Sequence, residues 1–150
     1  MLGAVAAARA MGAKTAGISC TPDSEMACAV DIAITPLTGP EVITGSTRMK
    51  AGTAQKLVLN MLTTGAFLRM GYVYGNLMVN VQPTNAKLAD RAARIVAQAA
   101  SVSYEEARDW LARAANSVRV AIVMSKTGAA REEAERRLGA AGGNVARALA

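Results

Sequence analysis

A chain of 150 residues that is 52% hydrophobic and 19% charged can bury a core of ordinary domain size and is too apolar to be disordered. Its net charge of +6 suits anionic ligands, but the basic residues are spread along the chain and aromatics make up only 3%. That pattern argues against nucleic acid, whose binders cluster their cations and interleave aromatics.

The chain has no histidine and two cysteines, Cys20 and Cys28. These cannot supply a zinc-type site, so no metal is expected, and reduced thiols in the cytoplasm are the simplest reading. Residues 1–17 superficially resemble a signal peptide, but Arg9 interrupts the apolar run and a strand-like segment follows. The most apolar run, residues 57–68, is bounded by Lys56 and Arg69. As a helix it spans ~18 Å against the ~30 Å core of a bilayer, which predicts a buried helix and no membrane span.

In chain order, residues 5–11 read as a helix of small residues stopped by Gly12, and residues 15–19 as a short strand. A turn at Thr21, Pro22 and Asp23 follows, then a helical turn over 24–29 and a second strand over 31–35 closed by Pro36. Helix, strand, turn, strand is the pattern of a mostly parallel sheet with helices packed on it. Two strands alone do not make such a sheet, so the expectation is an α/β domain whose beginning lies outside this chain.

A loop over 36–45 leads into a long helix predicted from Thr47 to Met70 and ended by Gly71; Gly75 and Pro83 punctuate the loop beyond it. Residues 84–100 form an amphipathic helix with Leu88, Ala92, Ile95, Val96 and Ala99 on one face. Ser103 and Glu106 have capping-box spacing and open a helix to about Ala115. Shorter helices over 117–124, 132–138 and 144–149 complete a helical module, and no internal repeat stands out beyond the alanine bias. The predicted division is 1–83, the α/β part with its long helix, and 84–150, the helical part.

The chemistry concentrates in the segment TGSTRMK, residues 44–50. Gly45 permits close backbone approach, and Ser46 or Thr47 can cap the helix or donate a hydroxyl. Free N–H groups at a helix start form an anion site. Arg48 can clamp two phosphate or carboxylate oxygens, and Lys50 adds a point charge. The plainer alternative is that Ser46 or Thr47 only caps a buried helix. Against it, a helix start favours Asp or Glu in its first turn, whereas here the first turn holds Arg48 and Lys50. Cations so placed make sense if an anion sits there. Glu41 is the one carboxylate beside the motif; it can act as a weak candidate base or, more simply, pair with Arg48 or a backbone N–H.

These residues carry a family resemblance. GPEVITGSTRMKAGTAQK followed by VYGNLMVNVQPTNAKLADRA resembles the C-terminal part of the N-acetylmuramic acid 6-phosphate etherases, with the glucokinase regulatory protein a more distant relative. The likeness begins with AAARAMGAKTAGISC, similar to the end of a sugar-isomerase (SIS) domain, and continues through AIVMSKTG and AGGNVARAL. It implies the C-terminal part of a SIS-type parallel-sheet sandwich followed by a small all-helical, lid-like module. It further implies a cytoplasmic lyase that opens the sugar ring, removes the C2 proton, eliminates D-lactate from C3 and adds water to the double bond. No metal or organic cofactor takes part.

By the same resemblance, Ser46, Thr47, Arg48 and Lys50 would hold the sugar hydroxyls, the phosphate or the lactyl carboxylate of a phosphorylated amino sugar, and the acid and base would come from an N-terminal half outside this chain. A homodimer is expected, because the half-sheet and long helix leave apolar surface to cover. Two alternatives stand beside the lyase: a non-catalytic sugar-phosphate sensor, and a helical interaction module carried by residues 84–150.

Overall fold

A computed structural model describes residues 1–150 as a mixed α/β chain of two compact units, Met1–Thr63 and Thr64–Ala150. In the first, α1 (Leu2–Ala10) is rich in alanine, the best helix former, and ends just before Gly12 at φ +78°. Strand β1 (Ala16–Ile18) pairs in parallel with β2 (Ile32–Ile34), setting Gly17 opposite Ala33. The crossover carries α2 (Glu25–Ala29), capped by the Ser24 hydroxyl, which accepts from the Ala27 N–H at 3.2 Å. A Cβ on Gly17 would lie 3.1 Å from the Met26 side chain, which is how closely α2 lies on the strand.

Polar bonds fix the register where little apolar surface does. The Asp31 carboxylate accepts from the Thr15 N–H and hydroxyl, both at 2.8 Å, and the Asp31 N–H donates back to the Thr15 oxygen at 3.1 Å. The Thr15 N–H, then its hydroxyl, hold this carboxyl below its ordinary pKa. Arg9 adds a 2.8 Å bond to the Ala29 carbonyl.

The long helix departs from expectation twice. Its first turn, Arg48–Gly52, is wound as a π-turn, and α3 proper runs Thr53–Arg69. The Gly52 N–H reaches the Thr47 carbonyl, five residues back, at 3.1 Å. Nor is the helix buried: Leu57, Leu59, Met61, Leu62, Phe67 and Leu68 are all about half exposed or more, and none of its residues is fully buried. Apolar residues all round α3 call for surrounding layers, and this chain by itself does not provide them.

In the second unit, Gly71 at φ +74° ends α3 and leads into a hairpin where the sequence predicts a loop. Strands β3 (Val73–Tyr74) and β4 (Leu77–Met78) pair antiparallel across a two-residue turn containing Gly75 at φ +60°. Helix α4 (Ala86–Ala100) is capped by Asn85 and buries Ala92, Ala93, Ile95, Val96 and Ala99, with Leu88 only half-buried. Helix α5 (Tyr104–Arg113) opens with the expected capping box between Ser103 and Glu106. Helices α6 (Val118–Thr127), α7 (Arg131–Ala140) and α8 (Val145–Leu149) follow. Their core centres on Ile122, Val96, Val118, Val123 and Val145, none more than 1% exposed.

These helices contain an internal repeat, contrary to the sequence reading. Helices α4, α5 and α6 pack mutually, and so do α6, α7 and α8. The two triads align at a displacement of 27 residues, as between Leu111 and Leu138. In that alignment Ile95-Val96 matches Ile122-Val123, Glu105-Glu106-Ala107 matches Glu132-Glu133-Ala134, and Ala114, Val118 and Ala121 match Ala141, Val145 and Ala148.

Backbone geometry repeats in step. Ser101 at φ +59° and Gly128 at φ +70° each end a helix in the left-handed region, donating to Ala97 and Met124 respectively. Ala115 and Asn116 at φ +48° and +63° correspond to Gly142 and Gly143 at +62° and +78°. The Asn116 and Gly143 N–H groups reach Leu111 and Leu138 carbonyls at 2.8 and 2.7 Å. Ser117 and Asn144 then cap the next helices. Alanine bias conceals the repeat, because few of the shared positions carry a distinctive residue. No helix of the chain is long and apolar enough to cross a membrane.

Candidate functional site

The segment singled out by its chemistry lies wholly in the first unit. Residues 43–46 form a turn closed by the Ser46 N–H donating to the Ile43 carbonyl at 3.0 Å. Gly45, at φ +82°, occupies the third position, where a type II turn requires positive φ. The turn delivers the chain to Thr47, the residue preceding the π-turn.

Ser46 and Thr47 do not perform the capping that the simpler reading assigned them. The Thr47 side chain makes no cap bond. Glu41 does the work: its carboxylate accepts from the Lys50 N–H at 3.1 and 3.3 Å and from the Ala51 N–H at 3.0 Å. A carboxylate across free N–H groups at the positive end of a helix is the favourable arrangement for both. Glu41 thus supplies a negative group at the helix start from within the chain. Of the two alternatives for Glu41, the geometry places it on backbone N–H groups.

Lys50 is also engaged, its ammonium donating to the Pro40 carbonyl at 2.8 Å. Glu41 and Lys50 therefore clasp the loop to the helix start from both sides, over a separation of nine residues. Arg48 projects into solvent at the head of the turn, and Ser46 is half-buried beside it. Cys20, also half-buried, approaches the Ala51 carbonyl with its sulfur at 3.8 Å. Sequence reasoning offered a backbone N–H as one partner of Glu41 but named neither the Lys50 and Ala51 donors nor the Lys50–Pro40 bond, because Pro40-Glu41 has no local periodic signature. Its only signal is the missing acidic residue in the first turn of the helix.

A second concavity in this unit, lined by Pro22, Asp23, Cys28, Thr35 and Leu37 among others, lies beyond the C-terminal ends of β1 and β2. That is where ligands of open α/β sheets are usually held. No group of three or more Asp, Glu or Cys side chains converges anywhere in the chain.

Fold and site together describe a mixed α/β protein with a parallel-strand unit bearing hydroxyls and cations at a helix start, and a helical unit after it. No protein-family profile matches the chain. Curated relatives do. It is 52% identical over 145 residues to an N-acetylmuramic acid 6-phosphate etherase of Aeromonas hydrophila, covering 97% of this chain and 49% of that one. It is 50% identical over 149 residues to the enzyme of the same name from Lactobacillus gasseri, covering 99% and 50%. With that of Photobacterium profundum it shares 55% identity over 138 residues, 92% of this chain and 46% of the relative. The chain belongs to the N-acetylmuramic acid 6-phosphate etherase family, and it spans about half the length of the curated relatives it matches.

Proposed function

We propose that this chain forms the C-terminal half of an etherase that cleaves the D-lactyl ether of N-acetylmuramic acid 6-phosphate, giving N-acetylglucosamine 6-phosphate and D-lactate in cytoplasmic muropeptide recycling. The observation that carries this reading is identity of 50% or more to etherases over nearly the whole chain. Residues 1–83 are read as the end of a SIS-type domain and 84–150 as its helical, lid-like module. The lactyl ether is broken by removing the C2 proton and expelling lactate from C3, which requires a positioned base and acid. Those groups are assigned to the complementary half, since Glu41 is already engaged by two backbone donors.

In this reading Ser46, Thr47, Arg48 and Lys50 bind the substrate. Arg48 is exposed and suited to a bidentate oxyanion, while the Ser46 and Thr47 hydroxyls reach sugar oxygens. The uncovered apolar side chains of α3 are taken as surface buried by the complementary half or by a second copy of the chain. The test mixes this chain with a polypeptide corresponding to the other half of a relative and measures D-lactate release from N-acetylmuramic acid 6-phosphate. Release that falls at least about tenfold with Arg48→Ala supports the reading; no release from the folded, associated pair rejects it.

A second reading, a sugar-phosphate sensor without catalysis, rests on Arg48, exposed at the turn and able to hold an oxyanion independently of any acid or base. Calorimetric binding of a hexosamine 6-phosphate by this chain alone, lost in Arg48→Ala, would favour it. Absence of binding at millimolar ligand would count against it.

A further inference from the structure

The internal repeat supplies a control for reading the surface of the second unit. Positions that the fold requires recur in both triads, as Leu111 and Leu138 or Val118 and Val145 do. Positions that differ are free of that requirement. Four of them line one face: Asp109, Trp110 and Val120 in the first triad become Arg136, Arg137 and Arg147 in the second, while Arg113 becomes Ala140. Trp110 is half-buried against the core with the Arg113 guanidinium 4.1 Å over its ring, and Val120 is 6% exposed, so the indole and valine fill this face in the first triad. In the second, the three arginines rim an open groove of about 360 Å³ between α7 and α8, floored by Ala140, Ala141 and Ala148.

The guanidinium groups are held in place. Glu133 accepts from Arg137 Nε at 2.7 Å and from Arg136 Nε and Nη2 at 2.8 Å each, leaving other N–H donors of both arginines free. Arg137 first, and Arg136 after it, keep this carboxyl below its ordinary pKa. Arg147 forms no ion pair across the groove. We propose that the groove between α7 and α8 is a docking surface for an acidic polypeptide segment of a partner protein. Charge complementarity selects this occupant: three arginines on two helices present a row of bidentate donors spread along a shallow channel. Guanidiniums carried on two separate helices offer separate donors to successive carboxylates, and the alanine floor lets a backbone approach closely.

The repeat also provides the test. Arg137→Trp with Arg147→Val installs the side chains that the first triad already accommodates. Binding of a fluorescein-labelled oligoglutamate to the full chain is followed by anisotropy at physiological salt. The paired substitution is expected to weaken binding by roughly tenfold or more. A charge-matched control on α4, Lys87→Gln with Arg91→Gln, should change it by less than about twofold. Arg136→Gln with Arg147→Gln gives the same loss as the first pair and serves if tryptophan and valine perturb folding.

Unchanged binding by the groove variants overturns the proposal and leaves the arginines as a solvated end-face of the repeat. An equal loss in the α4 control overturns it as well, because the attraction then reflects net charge alone. Displacement of the peptide by inorganic phosphate at lower concentration than by free glutamate oligomer rejects the choice of occupant.

Discussion

Every fully buried hydrophobic side chain of the protein, from Val79 to Ala148, lies in Thr64–Ala150, whereas Met1–Thr63 leaves Ile32, Leu37, Val42 and Ile43 more than half exposed. The first unit is ordered by backbone pairing and polar clasps such as Thr15–Asp31 and Glu41–Lys50, the second by a repeated hydrophobic triad. Hydrogen bonds exchanged against water contribute little net stability each, while buried aliphatic side chains contribute about 1.5–3 kcal/mol apiece. The helical unit therefore carries its own stability, and the parallel-strand unit carries the candidate motif of residues 44–50 on a scaffold with no buried apolar core of its own.

The sharpest way to break this comparison is to truncate one side chain in each region. Ile122→Ala, at a position 0% exposed, should cost about 3–5 kcal/mol by urea denaturation, against less than about 1 kcal/mol for Leu57→Ala, at a position 52% exposed. An equal cost at Leu57 would mean that α3 is covered in solution, and light scattering would then detect the second copy.

Next comes Gly71→Ala. Its Cβ would stand 2.8 Å from the Asn144 Cα at a φ of +74°, so a loss of about 2–3 kcal/mol is expected. Ser103→Ala removes the capping hydroxyl of α5 and should cost about 1 kcal/mol. Ala115→Gly works in the opposite direction. The first triad holds alanine at φ +48° where the second has Gly142, so glycine should stabilise by up to about 1 kcal/mol in thermal melts.

The smallest effect is a pH dependence. Ser103, through its hydroxyl and then its N–H, holds the Glu106 carboxyl below its ordinary value. A carboxylate depressed on folding stabilises above its unfolded pKa, about 4.3, and loses that contribution as pH falls through the lower folded value. The acid limb of stability below about pH 4 should be shallower in Glu106→Gln than in the unmodified chain.

Local signals were readable where one residue type forces one geometry. Ser103 with Glu106, the glycine stop at Gly71, and the strand–helix–strand run through Gly17 and Ser24 were all legible. Ser46, Thr47, Arg48 and Lys50 were singled out by residue type as a candidate binding motif. For Glu41 the sequence left Arg48 and a backbone N–H both open as partners, because a loop carboxylate can reach many donors and only folded geometry selects Lys50 and Ala51. Apolar content predicted that α3 is buried, but burial depends on neighbours and not on the helix itself. The repeat was hidden because its shared positions are mostly alanine, valine and glutamate, which are common everywhere in the chain.

The sharing of α6 between the two triads has a consequence for how the helical unit folds. The helix closes the first triad and opens the second, and Val118, Val120, Ala121, Ile122, Val123 and Met124 are buried in consequence. Two adjacent modules joined by a linker can melt one at a time. Two that own a helix in common cannot, since losing α6 from either removes it from both. The unit is thereby wired for all-or-none unfolding, with α4 and α8, at opposite ends of the chain of contacts, reporting the same transition.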